Sequence, residues 1–238
     1  MWVRGGVIPL VLKRLGYDVC TLDTWEEYSQ VYNNRMGIKE DIIERLQRHE
    51  IGVEYCDIEN ERFPFEDGSF DVVLFLDVIE HLHNSPKKVL KEIRRVLKKN
   101  GITILTTPNL GTLKNRLFVL GGRSNYTDLS YWYHHGDPFF GHVREYTPRE
   151  VKDMLAWEGF SVRHAELSNC LQIPTIKSFK WNPYTLTMAL YLLITTLIPT
   201  FRYLMIVVGQ KEGDYVDFRL DCGVSQEDRS LCQFLKRG

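Results

Sequence analysis

Three aspartates stand just past short apolar runs: Asp23 after 17–22, Asp57 after 53–56 and Asp77 after 70–76. A carboxylate only accepts hydrogen bonds, and its two oxygens can grip adjacent hydroxyls or an amine. If the runs are parallel strands of an open sheet, the acids line one crevice, because ligands bind beyond the carboxyl ends of such strands. Asp23 then suits the two ribose hydroxyls of a nucleoside, and Asp57 the exocyclic amine of an adenine. Two histidines are candidate proton acceptors: His81, just past Asp77, and His142, in an aromatic-rich stretch. Each reads equally well as a capping or loop histidine. His134 and His135 are neighbours in sequence, so their side chains point apart, and no acid stands at clear ligand spacing. They are expected to be structural filling, and no metal site is expected.

The elements that must position these groups follow from hydrophobic period and turn residues. Helical spacing covers 8–15 and stops at Gly16; a charged amphipathic helix covers 38–49. A second amphipathic helix covers 86–97, with Pro86 near its first turn and Asn100-Gly101 as its stop. Strands are expected at 17–22, 53–56, 70–76 and 102–106; the run at 70–76 is almost wholly apolar, as in a strand buried on both faces. This alternation argues for βαβ units in a doubly wound, mostly parallel α/β sheet. A helix at 148–157 and strands at 160–165 and 203–208 complete it. Residues 1–211 read as one domain, with an insert at about 110–147, and 212–238 as a polar tail holding a short helix at 226–235. The insert's aromatics, Tyr126, Tyr131, Trp132, Tyr133, Phe139 and Phe140, read either as a lid over an acceptor or as ordinary core packed on the sheet.

Taken as a set, several motifs resemble the class I, Rossmann-like methyltransferases that use S-adenosylmethionine, in their small-molecule branch. Cys56-Asp57-Ile58-Glu59-Asn60 is similar to that family's adenine-side motif, and Phe63 through Val73 to its lead into the fourth strand. Asp77-Val78-Ile79-Glu80-His81-Leu82 resembles the exit of that strand. Arg95-Val96-Leu97-Lys98-Lys99-Asn100-Gly101, Thr106-Thr107-Pro108-Asn109 and Gly141-His142-Val143-Arg144-Glu145-Tyr146-Thr147 extend the likeness to about residue 165. The resemblance implies S-adenosylmethionine as cofactor, bound by Gly5, Gly6, Asp23, Asp57, Ile58, Asp77 and Val78. It also implies methyl transfer to a small or lipid-linked acceptor, with oxygen as the expected acceptor atom and His81 or His142 as base. The departure is at the front. The family opens with a strand running into G-x-G-x-G, whose glycines let the backbone approach the cofactor. Here Gly6 falls on the last glycine, Arg4 on the middle one and Trp2 on the first, so the first strand is expected to be missing. Two readings remain open: an enzyme whose start lies upstream, and a non-catalytic relic that acts as an interaction module.

Bulk properties narrow the classes. The 238 residues are 44% hydrophobic and 26% charged, an ordinary globular mixture. A net charge of −1 gives no general attraction to nucleic acid, so none is expected as a partner. The lysines and arginines over 87–99 read as a solvated helix face. Five scattered cysteines suggest neither a disulfide framework nor a zinc site, and Cys20 and Cys56 read as small buried apolar groups in a reducing, cytoplasmic setting. Residues 181–201 carry no charge until Arg202, and 186–198 are strongly apolar. Pro183 and Pro199 bracket this run, so a packed helix is expected, with peripheral membrane contact as the second reading.

Overall fold

The computed structural model describes residues 7–24, 38–134, 139, 141–169 and 183–212. Gly5, Gly6, His135, Phe140 and the expected helix at 226–235 lie outside the described residues. The elements in order are α1 (Val7–Arg14), β1 (Cys20–Asp23), α2 (Ile38–Arg48), β2 (Gly52–Tyr55), β3 (Phe70–Leu76), α3 (Lys87–Val96), β4 (Leu97–Pro108), α4 (Leu113–Leu120), α5 (Leu129–His134), α6 (Pro148–Trp157), β5 (Phe160–Ser168), α7 (Pro183–Leu197) and β6 (Leu204–Lys211).

The strands make two sheets, β1-β2 and β3-β4-β6-β5. Both β1/β2 and β3/β4 are parallel, while β6 runs antiparallel to β4 and to β5. β5 therefore points the same way as β4, and β6 is the reversed strand of an otherwise parallel α/β arrangement. Among the described residues no strand lies between β1 and β3, the place where the resemblance puts its first strand. What unites the two sheets is apolar packing. Leu22 of β1 and Cys56, just past β2, share one buried cluster with Phe75, Val78, Ile79 and Leu105. A smaller cluster of Ile42, Leu46 and Ile51 seats α2 and, through Leu10, α1. Burial pushes the Cys20 and Cys56 thiols up to about 11, so both stay protonated at neutral pH and act as small apolar groups.

The α3-to-β4 junction differs from the sequence expectation. The helix ends at Val96 and the strand starts at Leu97, five residues before the expected 102. The intervening residues form a bulge, in which the register moves from Phe70↔Leu97 to Val72↔Ile102. Asn100 adopts φ 64, and a Cβ at Gly101 would stand 3.0 Å from the Lys98 carbonyl oxygen and 3.1 Å from that of Asp71. The Asn-Gly pair thus turns the chain inside a strand rather than closing a helix.

α3 buries Val89, Leu90, Ile93 and Val96, and its lysines are exposed as expected. Arg95 departs from that solvated face. Its guanidinium donates to Glu92 at 2.7 and 2.9 Å, to Asp67 at 2.7 Å, and to the carbonyls of Phe63 at 3.0 Å and Phe65 at 2.8 Å. The planar fork thereby clamps the 63–67 loop onto α3. Arg95→Met removes every one of these donors and leaves the Glu92 carboxylate half-sequestered. Urea unfolding is expected to show a loss of roughly 2–3 kcal/mol, and Arg95→Lys to recover only part of it because an ammonium cannot span the fork.

Candidate functional site

The last residues of β4 hold the exit of β3. The Asp77 N–H donates to the Thr106 carbonyl at 2.9 Å, and the Thr106 hydroxyl donates to the Asp77 carboxylate at 2.9 Å. These bonds hold Asp77 at φ 51, a left-handed conformation that side chains rarely adopt. The chain then enters a 3₁₀ turn, Ile79–His81. Ile79 is fully buried, which turns Glu80 inward as well, at 1% exposure. The Thr107 hydroxyl donates to the Glu80 carboxylate at 2.9 Å. Burial raises the Glu80 pKa, against that hydrogen bond.

The stretch 141–146 docks on this turn. The N–H groups of Val143 and Arg144 donate to the Glu80 carbonyl at 2.7 and 3.2 Å, and Asn109 bridges in parallel to Tyr146. His81 and His142 consequently meet edge to face, with ring centroids 4.9 Å apart. His81 Nδ1 lies 3.1 Å from the Gly141 carbonyl oxygen, and His142 Nδ1 lies 3.3 Å from Glu145 Oε1. The hydrogen bond to Glu145 raises the His142 pKa, against burial, and the Glu80 charge adds to the rise. One ligand-type atom each from Glu80, His81 and His142 lies within 4.8 Å of the others. The sequence expectation of no metal site rested on other residues. Of those, His134 is exposed at the end of α5, against Tyr133, so it fills nothing.

On the other side stand the carboxyl ends of β1 and β2. Asp23 ends β1 at 9% exposure, and Asp57 stands two residues past β2. Since the strands are parallel neighbours, both acids emerge at one edge. Asp57 is turned onto its own loop: its carboxylate accepts from the Asn60 side chain at 2.7 Å and from the Glu59 and Asn60 N–H groups at 3.0 and 3.3 Å. Burial pushes its carboxyl up, and these donors outweigh burial and hold it below the usual range. Ile58 packs against the core from a half-buried position, and the Val78 side chain is buried within it, so Val78 offers only its backbone to a ligand. This donor set fits a nucleoside, because the acids only accept and a ribose diol only donates toward them.

A cavity of about 1080 Å³ adjoins His142. Its walls include His142, Asn115, Lys114, Tyr126, Met188 and Tyr191, drawn from α4, the insert, 142–145 and α7. Tyr126, Tyr131, Trp132 and Tyr133 are all exposed, so of the two readings left open for them, lid or core, the core one does not hold for these four.

The family model described as a methyltransferase domain matches residues 4–105. That stretch of the chain is similar to a methyltransferase domain. The family is the class I kind, whose activity is methyl transfer and whose methyl donor is S-adenosylmethionine. A mitochondrial ubiquinone biosynthesis O-methyltransferase of Dictyostelium discoideum is 25% identical over 181 residues, which span 76% of this chain and 51% of that protein. An uncharacterized protein of Methanocaldococcus jannaschii is 43% identical over 56 residues, 23% of this chain and 24% of its own length. The chain thus spans about half the length, or less, of these curated relatives. Two solved structures share the fold. One is a methyltransferase from Methanosarcina mazei that uses S-adenosylmethionine (TM-score 0.54, 16% identity, 89% of this chain and 90% of that one). The other is a complex between the Haloferax volcanii Trm112 methyltransferase activator and a methyltransferase (TM-score 0.54, 18% identity, 90% and 81%).

Sequence reasoning singled out His81 and His142 but missed what joins them. Thr107 holds Glu80, and Glu145 is in reach of both His142 and the Asn115 side chain. A signal was present: an acid inside an apolar strand exit, Val78-Ile79-Glu80, must be buried by its neighbours. Proton NMR of the chelator-treated protein is expected to show His142 titrating above the ordinary histidine value. Glu145→Gln should bring that pKa down, because its first cause is the bond to Glu145. The raised value also means that this histidine stabilises the fold below its unfolded pKa and loses that contribution as pH climbs through the folded one.

Proposed function

We propose that the chain transfers a methyl group from S-adenosylmethionine to the hydroxyl oxygen of a small or lipid-linked acceptor. Asp23 would hold the ribose hydroxyls, with the 57–60 loop and the Asp77 exit beside the adenine and the reacting end. When bound, the cofactor supplies an electrophilic methyl on a sulfonium. Displacement there is in line, so alignment provides most of the acceleration. His142, on the cavity wall, or His81 beside it would take the hydroxyl proton of an acceptor held there.

The observation that carries this reading is the cavity beside His142. The stretch 142–145, which docks on the turn after β3, lines one side of it, and α7 forms another wall with Thr187, Met188 and Tyr191. The same helix leaves Leu186, Leu190, Leu193 and Leu197 exposed, a stripe at helical spacing. Exposed apolar surface of this kind marks contact with a partner or a lipid. No helix among the described residues is long and apolar enough to cross a membrane, which leaves surface contact as the form such an association takes. The Dictyostelium relative, named as an O-methyltransferase of ubiquinone biosynthesis, supports oxygen as the acceptor atom and an apolar acceptor.

The test is label transfer from methyl-labelled S-adenosylmethionine to hydroxylated acceptors with and without a long apolar tail. An alkali-stable methyl ether is expected, formed faster from the tailed acceptor. Asp23→Asn should weaken binding of S-adenosylhomocysteine about ten- to a hundredfold, the loss of a charged hydrogen-bond acceptor, about 1.5–3 kcal/mol. Binding of the cofactor without any transfer would favour the interaction-module reading. Label appearing on nitrogen or carbon would overturn the oxygen assignment.

A further inference from the structure

We propose that a second cavity, at the amino ends of β3 and β4, binds a soluble phosphate monoester through Lys91, Arg94, Lys99 and Lys211. The cavity holds about 530 Å³, within the roughly 300–1,000 Å³ of small-molecule sites. Its walls come from the last turns of α3, the first residues of β4, the end of β6 and Glu158 just past α6. Asp77 leaves β3 at the opposite end, so the cavity is remote from the edge assigned to S-adenosylmethionine.

Five cations and two acids line it. Arg95 and Asp67 answer each other at 2.7 Å, with Glu92 and Arg62 as their further partners. That leaves Lys91, Arg94, Lys99 and Lys211 facing one acid, Glu158. Among the described residues no carboxylate is within ion-pair distance of Lys91, Lys99 or Lys211. Two of the cations are also held close to each other. The Lys211 ammonium donates to the Leu97 carbonyl, and burial pushes its pKa below the usual lysine range. The Arg94 charge pushes it further, and Asp67 opposes both. Arg94 lies over Gly159, where a Cβ would stand 3.0 Å from its Nε, and its Nη2 donates to the Glu212 carbonyl at 3.2 Å. An anion between Arg94 and Lys211 relieves their repulsion. A phosphate monoester carries about −1.5 to −2 at neutral pH, so it balances more of this charge than a carboxylate does. The guanidinium fork matches two of its oxygens, and the ammoniums act as point charges. The phosphate is that of a free molecule instead of a lipid headgroup. The apolar stripe of α7 precedes β6, and the cavity is at that strand's far end, eight residues or roughly 25 Å away. None of this depends on methyl transfer.

The test is calorimetric titration of the full chain with glycerol 3-phosphate, at an ionic strength held constant with potassium chloride. One saturable site per chain is expected, with S-adenosylhomocysteine leaving it unaffected. Inorganic phosphate should compete but bind more weakly, because it leaves the rest of the cavity empty. Lys91→Gln/Lys99→Gln should weaken the monoester about tenfold or more. Both lysines are exposed, so the melt of that variant followed by circular dichroism should match the parent's. Arg94→Lys keeps the charge and loses the fork, so it should cost severalfold. Three results overturn the proposal: no saturable binding in the parent chain, undiminished affinity in Lys91→Gln/Lys99→Gln, or displacement of the monoester by S-adenosylhomocysteine, which would place it at the cofactor edge. Binding to vesicles containing phosphatidic acid with none to glycerol 3-phosphate overturns it as well.

Discussion

Thr106, Thr107, Asn109 and Leu110, at and just past the end of β4, determine where the rest of the site goes. Strand β4 is flanked by β3 on one side and β6 on the other, so its end cannot shift without breaking both ladders. From that fixed end, Thr106 holds the backbone and carboxylate of Asp77, and Thr107 holds Glu80. Buried Asn109 ties the turn before β6 through the Thr200 and Arg202 carbonyls, and its N–H donates to Tyr203 at 2.7 Å. Its neighbour Leu110 donates to Tyr146, which brings in the stretch that carries His142. Polar side chains this deep in a protein specify one arrangement, because any slip leaves buried groups without partners. The site is therefore a consequence of strand pairing, and the strained exit at Asp77 is maintained by its neighbours.

The two sheets meet differently. Ladder bonds are directional and fix register, whereas the apolar contacts between Leu22, Cys56, Phe75 and Val78 are not directional. Asp23 and Asp57 are thus located relative to Asp77 by packing alone among the described residues. Among the described residues no further strand pairs with the outer edge of β1 or of β3. Val72 of β3 is 44% exposed, as on an uncovered edge.

Much of the fold was legible because α/β alternation leaves strong local marks. The runs at 70–76 and 148–157 were bounded by turn and cap residues and match their elements residue for residue. The bulge at 97–101 was not legible. Asn-Gly stops helices and turns strands equally well, and only the pairing with β3 decides between them. Arg95 read as one member of a basic helix face because its partners, the 63–67 loop and Glu92, converge only in three dimensions. His81 and His142 were each visible, but sixty-one positions separate them, and single-sequence spacing says nothing about such a meeting. The insert was least legible, since aromatic residues mark cores and binding surfaces alike.

The central claim is that the exits of β1, β2 and β3 form one cofactor edge beside the paired histidines. Hydrogen–deuterium exchange with and without S-adenosylhomocysteine tests it most directly, because protection is read along the backbone with no substitution. The account predicts slower exchange in peptides covering 20–24, 56–61 and 77–82 together. Protection of none of the three, or protection confined to the far side of β5 and α6, would contradict it.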